Sequence, residues 1–137
     1  MFSVSAKGIY GLVALVELAS NYNKDHIRIK EIAKMHNIPQ HYLEQLLIIL
    51  KRAGFIKSIR GNQGGYAMAK SPHQIKISDV LQILEGDIKL IPLDKQNNML
   101  QFFWESLEKV ICNELDITLN DLLLKKQQFE KRIMYNI

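Results

Sequence analysis

The chain has 137 residues, 47% of them hydrophobic, with a formal net charge of +4 and a single cysteine. That length accommodates one domain, or one domain with a dimerisation extension. One cysteine excludes an intramolecular disulfide, and no apolar run approaches the roughly 20 residues that a membrane-spanning helix needs. The first 18 residues, MFSVSAKGIYGLVALVEL, lack a basic leader and a small-residue cleavage site, which predicts a cytoplasmic protein without a signal peptide. The charge is uneven: residues 1–85 hold 11 Lys/Arg against 6 Asp/Glu, whereas residues 86–137 hold 7 against 8. A basic N-terminal part suits contact with phosphates.

The first predicted helix runs from Ser5 to Ser20. Ile9, Leu12, Val13 and Val16 follow the i, i+3, i+4, i+7 spacing expected of a buried face. Ser5 is a candidate N-cap, and with Lys7 and Tyr10 it forms a candidate phosphate-contacting start. A polar loop at residues 21–26 leads to Ile27–Ile29, a candidate short β segment. A second helix is predicted over Lys30–His36. Asn37-Ile38-Pro39 then makes a turn, since Asn tolerates unusual backbone angles and Pro opens helices well.

The next helix, predicted from Pro39 to Ala53, carries Leu43, Leu46, Leu47 and Leu50 on one face and His41, Gln45, Ile48 and Arg52 on the other, with Tyr42 and Glu44 at the margins. A helix directly after such a turn has the position of a recognition helix, whose first turns meet base edges. Here they offer Gln40, His41, Tyr42, Glu44 and Gln45. Gln can pair with adenine, Glu can accept from cytosine, and an aromatic can touch a thymine methyl.

Gly54 supplies the helix stop. Strands at Phe55–Ile59 and Tyr66–Ala69 flank Arg60-Gly61-Asn62-Gln63-Gly64-Gly65, a wing whose glycines, Gly61 and Gly64 among them, permit close approach to another surface. Arg60 at its mouth suits an electronegative minor groove. No lysine follows in P-loop spacing, which argues against a nucleotide cradle.

Ser78–Glu85 is predicted as a short helix capped by Ser78 and stopped by Gly86, and residues 87–97 as a linker. The longest uncapped amphipathic run is Asn98–Leu115, with Leu100, Phe103, Trp104, Leu107 and Ile111 in one stripe broadened by Phe102, Val110 and Leu115. That much apolar surface on one helix suggests pairing with a second copy. Thr118 and Asp121 form a capping box that opens a last helix. The expected fold is mainly α with a small β-wing: a winged helix-turn-helix domain at 1–86, and a loop, a long dimerisation helix and a tail at 87–137.

No catalytic constellation emerges, so an enzyme is not expected. His26, His36, His41 and His73 are scattered without a shared helical face or carboxylate partner, so neither is a metal site. Cys112 stands at the edge of the apolar stripe as a small hydrophobe, with thiol-redox sensing as the alternative.

Three segments together, SAKGIYGL, IKEIAKMHNIPQHYLEQLLIILKRAGFIKSIRGNQGGY and ISDVLQILEG, resemble the Rrf-two family of winged-helix transcriptional regulators. The resemblance covers residues 1 to about 90 closely, and the later helix loosely. It implies a homodimer on a double-stranded DNA operator, acting as a repressor, with Tyr42, Glu44 and Gln45 reading bases beside His41, and Arg60 in the minor groove. Ile9 departs from the pattern, since many members carry arginine there. Cluster-binding members carry three cysteines between the winged domain and the dimer helix. Residues 86–104 hold none, so no iron–sulfur cofactor is expected. The resemblance then leans to the clusterless, cysteine-metabolism branch. That branch implies a partner, O-acetylserine thiol-lyase, engaged by the C-terminal residues Tyr135, Asn136 and Ile137. An aliphatic side chain beside a terminal carboxylate suits capture in a backbone pocket.

Overall fold

The computed structural model describes residues 3–62 and 64–136. Among the described residues there are six α-helices: α1 (Ala6–Ser20), α2 (Ile29–His36), α3 (Gln40–Arg52), α4 (Ile77–Glu85), α5 (Gln101–Glu114) and α6 (Leu119–Tyr135). A two-stranded antiparallel sheet, β1 (Ile56–Ile59) and β2 (Gly65–Met68), lies between α3 and α4 in sequence, in the register Ile56↔Met68 to Ile59↔Gly65. Ile27 adds a single antiparallel bridge to Tyr66, through N–H···O bonds of 2.9 and 2.8 Å, so the anticipated third β segment is present at its shortest.

The helix-turn-helix follows from local chemistry. Asn37 adopts φ 53°, ψ 47°, the left-handed region that asparagine tolerates, and Ile38 beyond it is buried. Leu43, Leu46, Leu47 and Leu50 are all buried, each contributing roughly 1.5–3 kcal/mol of apolar burial. Gly54 at φ 84° ends α3, with Gly54 N–H donating to Lys51 C=O and Phe55 N–H to Leu50 C=O. This paired bonding satisfies carbonyls that the helix end would leave free. At the end of α3, Lys51 Nζ donates to Ser58 Oγ at 2.8 Å and ties the helix to β1.

Three expectations need correction. The fully buried face of α1 is Gly8, Gly11, Ala14, Leu15, Leu18 and Ala19; of the anticipated Ile9-Leu12-Val13-Val16 stripe, the last three are half-buried against the core and Ile9 is 51% exposed. Small residues let α4 approach closely: a Cβ on Gly8 would stand 2.5 Å from Glu85 Oε1, and one on Gly11 2.6 Å from Leu84 Cδ1. The anticipated stripe instead lines a groove shared with Leu122 of α6.

Helix α4 begins one residue earlier than Ser78 and is capped by no side chain. Its first N–H groups, from Ile77 and Ser78, donate to Ile117 and Leu115 carbonyls in the α5–α6 turn, and Leu119 N–H returns to Ile75 C=O. Backbone partners some 40 residues away replace the local cap. Leu119, fully buried, joins the same core as the winged motif. A 3-10 turn at Pro72–Gln74, closed by a Ser71–Gln74 capping box, precedes α4 and was not anticipated.

Third, the run predicted over Asn98–Leu115 is helical only as α5, 14 residues from Gln101 to Glu114, and α6, at 17 residues, is longer. It opens with the expected capping box: Asp121 N–H donates to Thr118 Oγ1 and Thr118 N–H to Asp121 Oδ2. No residue of α5 is buried. Phe102 (69%) and Val110 (57%) stand in solvent, and on α6 so do Phe129, Ile133 and Met134.

Candidate nucleic-acid interface

The first turn of α3 and the wing share one cleft of about 510 Å³. Gln40 lines it from the helix, and Arg60, Gly61 and Gly64 line it from the wing. Gly61 sits at φ 114°, where an L side chain is strained. Gly64 N–H donates to Gly61 C=O at 3.0 Å, and a Cβ on Gly64 would meet Ile59 O at 2.4 Å, so the tight wing requires glycine there. Gln63 lies outside the described residues. Arg60 is exposed.

Two further cations line the same cleft, Arg28 and Lys30. Neither was singled out from the sequence. The signal was the alternation Ile27-Arg28-Ile29-Lys30, in which the isoleucines turn inward and the cations outward. Arg28 Nη2 donates to the Asn62 carbonyl at 3.4 Å, joining the start of α2 to the wing.

Along α3, His41, Gln45, Ile48 and Arg52 are exposed and lie on one face. Arg52 falls in the last turn, about 18 Å along the axis from Gln40, so it does not join the cleft. Tyr42 is half-buried, with Tyr10 set edge-on against its ring at a centroid distance of 6.1 Å. That contact fixes the direction of both rings. Glu44 is partly exposed, with Oε2 3.9 Å from His41 Nδ1. His36 Nε2 lies 2.9 Å from Glu17 Oε1. Both histidines therefore have the carboxylate neighbours that the sequence reading denied them. Among the described residues no group of three or more His, Cys, Asp or Glu is arranged to hold a metal.

Lys7 is exposed on the first turn of α1. Ser5 does not cap that helix as expected. Its hydroxyl donates to Glu85 Oε1 at 2.7 Å, and the same oxygen accepts the N–H groups of Ser5 (2.8 Å) and Gly8 (3.0 Å). The C-terminal residue of α4 thus supplies the anion at the start of α1, where a phosphate was anticipated. The Ser5 hydroxyl, with the Gly8 and Ser5 N–H groups and Lys7 nearby, holds the Glu85 carboxyl below its ordinary range against the opposing effect of burial.

This latch predicts a stability effect. Glu85→Ala should cost about 1 kcal/mol, as for loss of an N-cap, moderated by solvent screening. Because the folded-state pKa is depressed, the contribution is present above the unfolded value of roughly 4.3 and fades as pH falls through the folded one. Urea melts of wild type and variant should separate at pH 7 and converge in acid.

No helix among the described residues is long and apolar enough to cross a membrane. The Rrf2 family profile, described as an iron-dependent transcriptional regulator, matches residues 4–125. The chain is 37% identical over 121 residues to the HTH-type transcriptional regulator CymR of Bacillus subtilis, covering 87% of this chain and 88% of that protein. It is 37% identical over 87 residues to IscR of Cereibacter sphaeroides, covering 62% and 56%. The solved structure of CymR, the global cysteine regulator of B. subtilis, superposes with a TM-score of 0.82 at 35% identity, over 91% of this chain and 98% of that one. T. potens IscR superposes with a TM-score of 0.77 at 38% identity, over 91% and 88%. The fold, the wing beside its helix-turn-helix and these likenesses agree: the chain belongs to the Rrf2 family of winged-helix transcriptional regulators, and it is not an enzyme.

Proposed function

We propose that the chain is a cytoplasmic, homodimeric repressor that grips a pseudo-palindromic operator, with one recognition helix and one wing on each half-site. The observation that carries this reading is the shared cleft. Gln40 opens the polar face of α3 beside Arg60, and Arg28 and Lys30 complete a basic rim. In the complex, His41 and Gln45 reach major-groove edges, with Tyr42 and Glu44 at the margins. Arg60, carried by Gly61 and Gly64, enters the flanking minor groove, and Lys7 and Arg52 contact phosphates at the two ends. Tyr10 supports Tyr42 from behind. Ser5 acts through the Glu85 latch rather than on DNA.

Dimerisation is supported by the unburied apolar side chains of α5 and α6, Phe102, Phe103 and Val110 on the first and Phe129, Ile133 and Met134 on the second, since clustered exposed apolar groups mark protein–protein contacts. Selection of bound duplexes from a fragmented genome tests the reading. An inverted repeat with half-site centres about one or two turns apart, roughly 34 Å per turn, is expected. Recovery of no common sequence would contradict it.

The family profile is described as iron-dependent, but the donor set does not fit an iron–sulfur cluster. Such clusters are held by several thiolates, the 86–104 segment has none, and Cys112 is the only cysteine in the chain. We therefore assign no cofactor. Control of sulfur or cysteine metabolism is favoured by the likeness to a protein described as a global cysteine regulator. Cys112 is exposed rather than packed as a small hydrophobe, which leaves its thiol open to oxidation. The tail is the candidate contact for O-acetylserine thiol-lyase. Tyr135 is 91% exposed at the end of α6 and Asn136 follows it in the open, while Ile137 lies outside the described residues. Deleting Ile137 should abolish capture of that enzyme in a pull-down and leave operator affinity unchanged. Equal capture by both chains would remove this partner.

A further inference from the structure

A second cavity lies where α4 ends and the linker begins, beside the residues that precede α1. It has a volume of about 420 Å³, within the range of small-molecule sites. Val4, Leu81, Ile111 and Leu115 give it an apolar interior. Its rim carries both signs of charge, Glu85 and Asp87 against Lys89. The linker wall is held in place at two points. Asp87 Oδ1 accepts from Gln82 Nε2 at 3.0 Å, and Leu90 N–H donates to Glu108 Oε1 at 2.9 Å.

We propose that this cavity binds a small zwitterion with an aliphatic body, in chemical class a free amino acid with an unbranched apolar side chain. The alkyl group fills the interior, the ammonium faces Glu85 and Asp87, and the carboxylate faces Lys89. An apolar pocket with a few convergent charged groups is the arrangement that fixes such a ligand in one orientation. A plain hydrocarbon would leave the rim charges unused, and a purely anionic ligand would meet two carboxylates.

The site also has a route to DNA, so this part of the inference rests on the function proposed above. Glu85 is at once a rim residue and the acceptor that holds Ser5 and Gly8 at the start of α1. One turn into α1, Tyr10 packs on Tyr42 of the recognition helix. An ammonium group that draws the Glu85 carboxylate toward the cavity competes with the Ser5 and Gly8 bonds. The start of α1 loosens, and operator affinity falls.

Isothermal titration of the full chain without DNA, using norleucine as probe, separates ligand binding from operator binding. Norleucine should bind, and pentylamine and hexanoate, each lacking one charge, should bind at least about tenfold more weakly. Ile88→Trp, which fills the cavity from the linker, should weaken norleucine binding by a similar factor, and Leu90→Trp serves as a second filling variant should the first fail to fold. No heat from norleucine at millimolar concentration, or equal binding by a folded filling variant, overturns the site. Norleucine should also lower the operator affinity of the wild type several-fold and leave that of the filling variant unchanged. Bound norleucine without any change in operator affinity overturns the coupling while leaving the repressor reading intact.

Discussion

Replacing Arg60 with alanine is expected to weaken operator binding by at least about tenfold, the loss associated with one well-placed guanidinium at a groove. The effect should be large because Arg60 is the only cation in the wing loop of residues 60–65. Its neighbours Gly61, Gly64 and Gly65 carry no side chains, and they hold the loop in a shape that brings one guanidinium forward. Arginine suits this position because a narrow minor groove concentrates negative potential and guanidinium is more weakly hydrated than ammonium. Arg60→Lys should therefore recover only part of the loss. Stability should stay within about 0.5 kcal/mol, since the side chain is exposed and outside the core. The salt dependence should also change: removing one cation lowers the slope of log affinity against log salt by about one unit. Fluorescence anisotropy on a labelled operator at several salt concentrations reads both quantities. An unchanged slope and affinity would remove the wing from the interface.

Val110→Glu should turn the dimer into a folded monomer and lower operator affinity by about 10²–10⁴-fold, the advantage that linking two binding modules gives. Val110 lies on a helix with no fully buried residue, so the substitution leaves the core of each chain alone. In a two-fold interface the same patch meets itself, so each added carboxylate is placed in an apolar contact near its symmetry mate. Burying such a charge without a partner costs several kcal/mol, more than a local repacking recovers. Phe103→Glu on the same helix should act alike. Light scattering reports the mass and anisotropy the affinity. A variant that stays dimeric with undiminished binding would place the interface elsewhere.

The winged helix-turn-helix was largely legible in the sequence because its signals are local. Asn37 in the left-handed region, Gly54 after the last turn of α3 and the four leucines at helical spacing each act within a few residues. The parts that were not legible depend on distant partners. The most buried side of α1 combines Leu15 and Leu18 with glycines and alanines, so a pattern read from bulky residues alone turned the helix toward its half-buried flank. Gly8 and Gly11 belong to the buried side because α4 passes close to them. Likewise Ser5 resembled an N-cap, yet its hydroxyl bonds to a carboxylate 80 residues along the chain. Arg28 and Lys30 escaped notice because only the folded wing brings them beside Arg60. The apolar character of α5 was visible from periodicity, but the stripe itself is only partly exposed: Leu100 and Phe103 stand in solvent with Phe102 and Val110, whereas Trp104, Leu107 and Ile111 are half-buried.

The most direct test of the central claim is the stoichiometry and footprint of the wild-type chain on a natural promoter duplex at low salt, measured by light scattering and hydroxyl-radical cleavage. Two chains per duplex are expected, with protected major grooves related by a two-fold axis and a protected minor groove flanking each. A chain that remains monomeric, or that protects no promoter fragment, would contradict it.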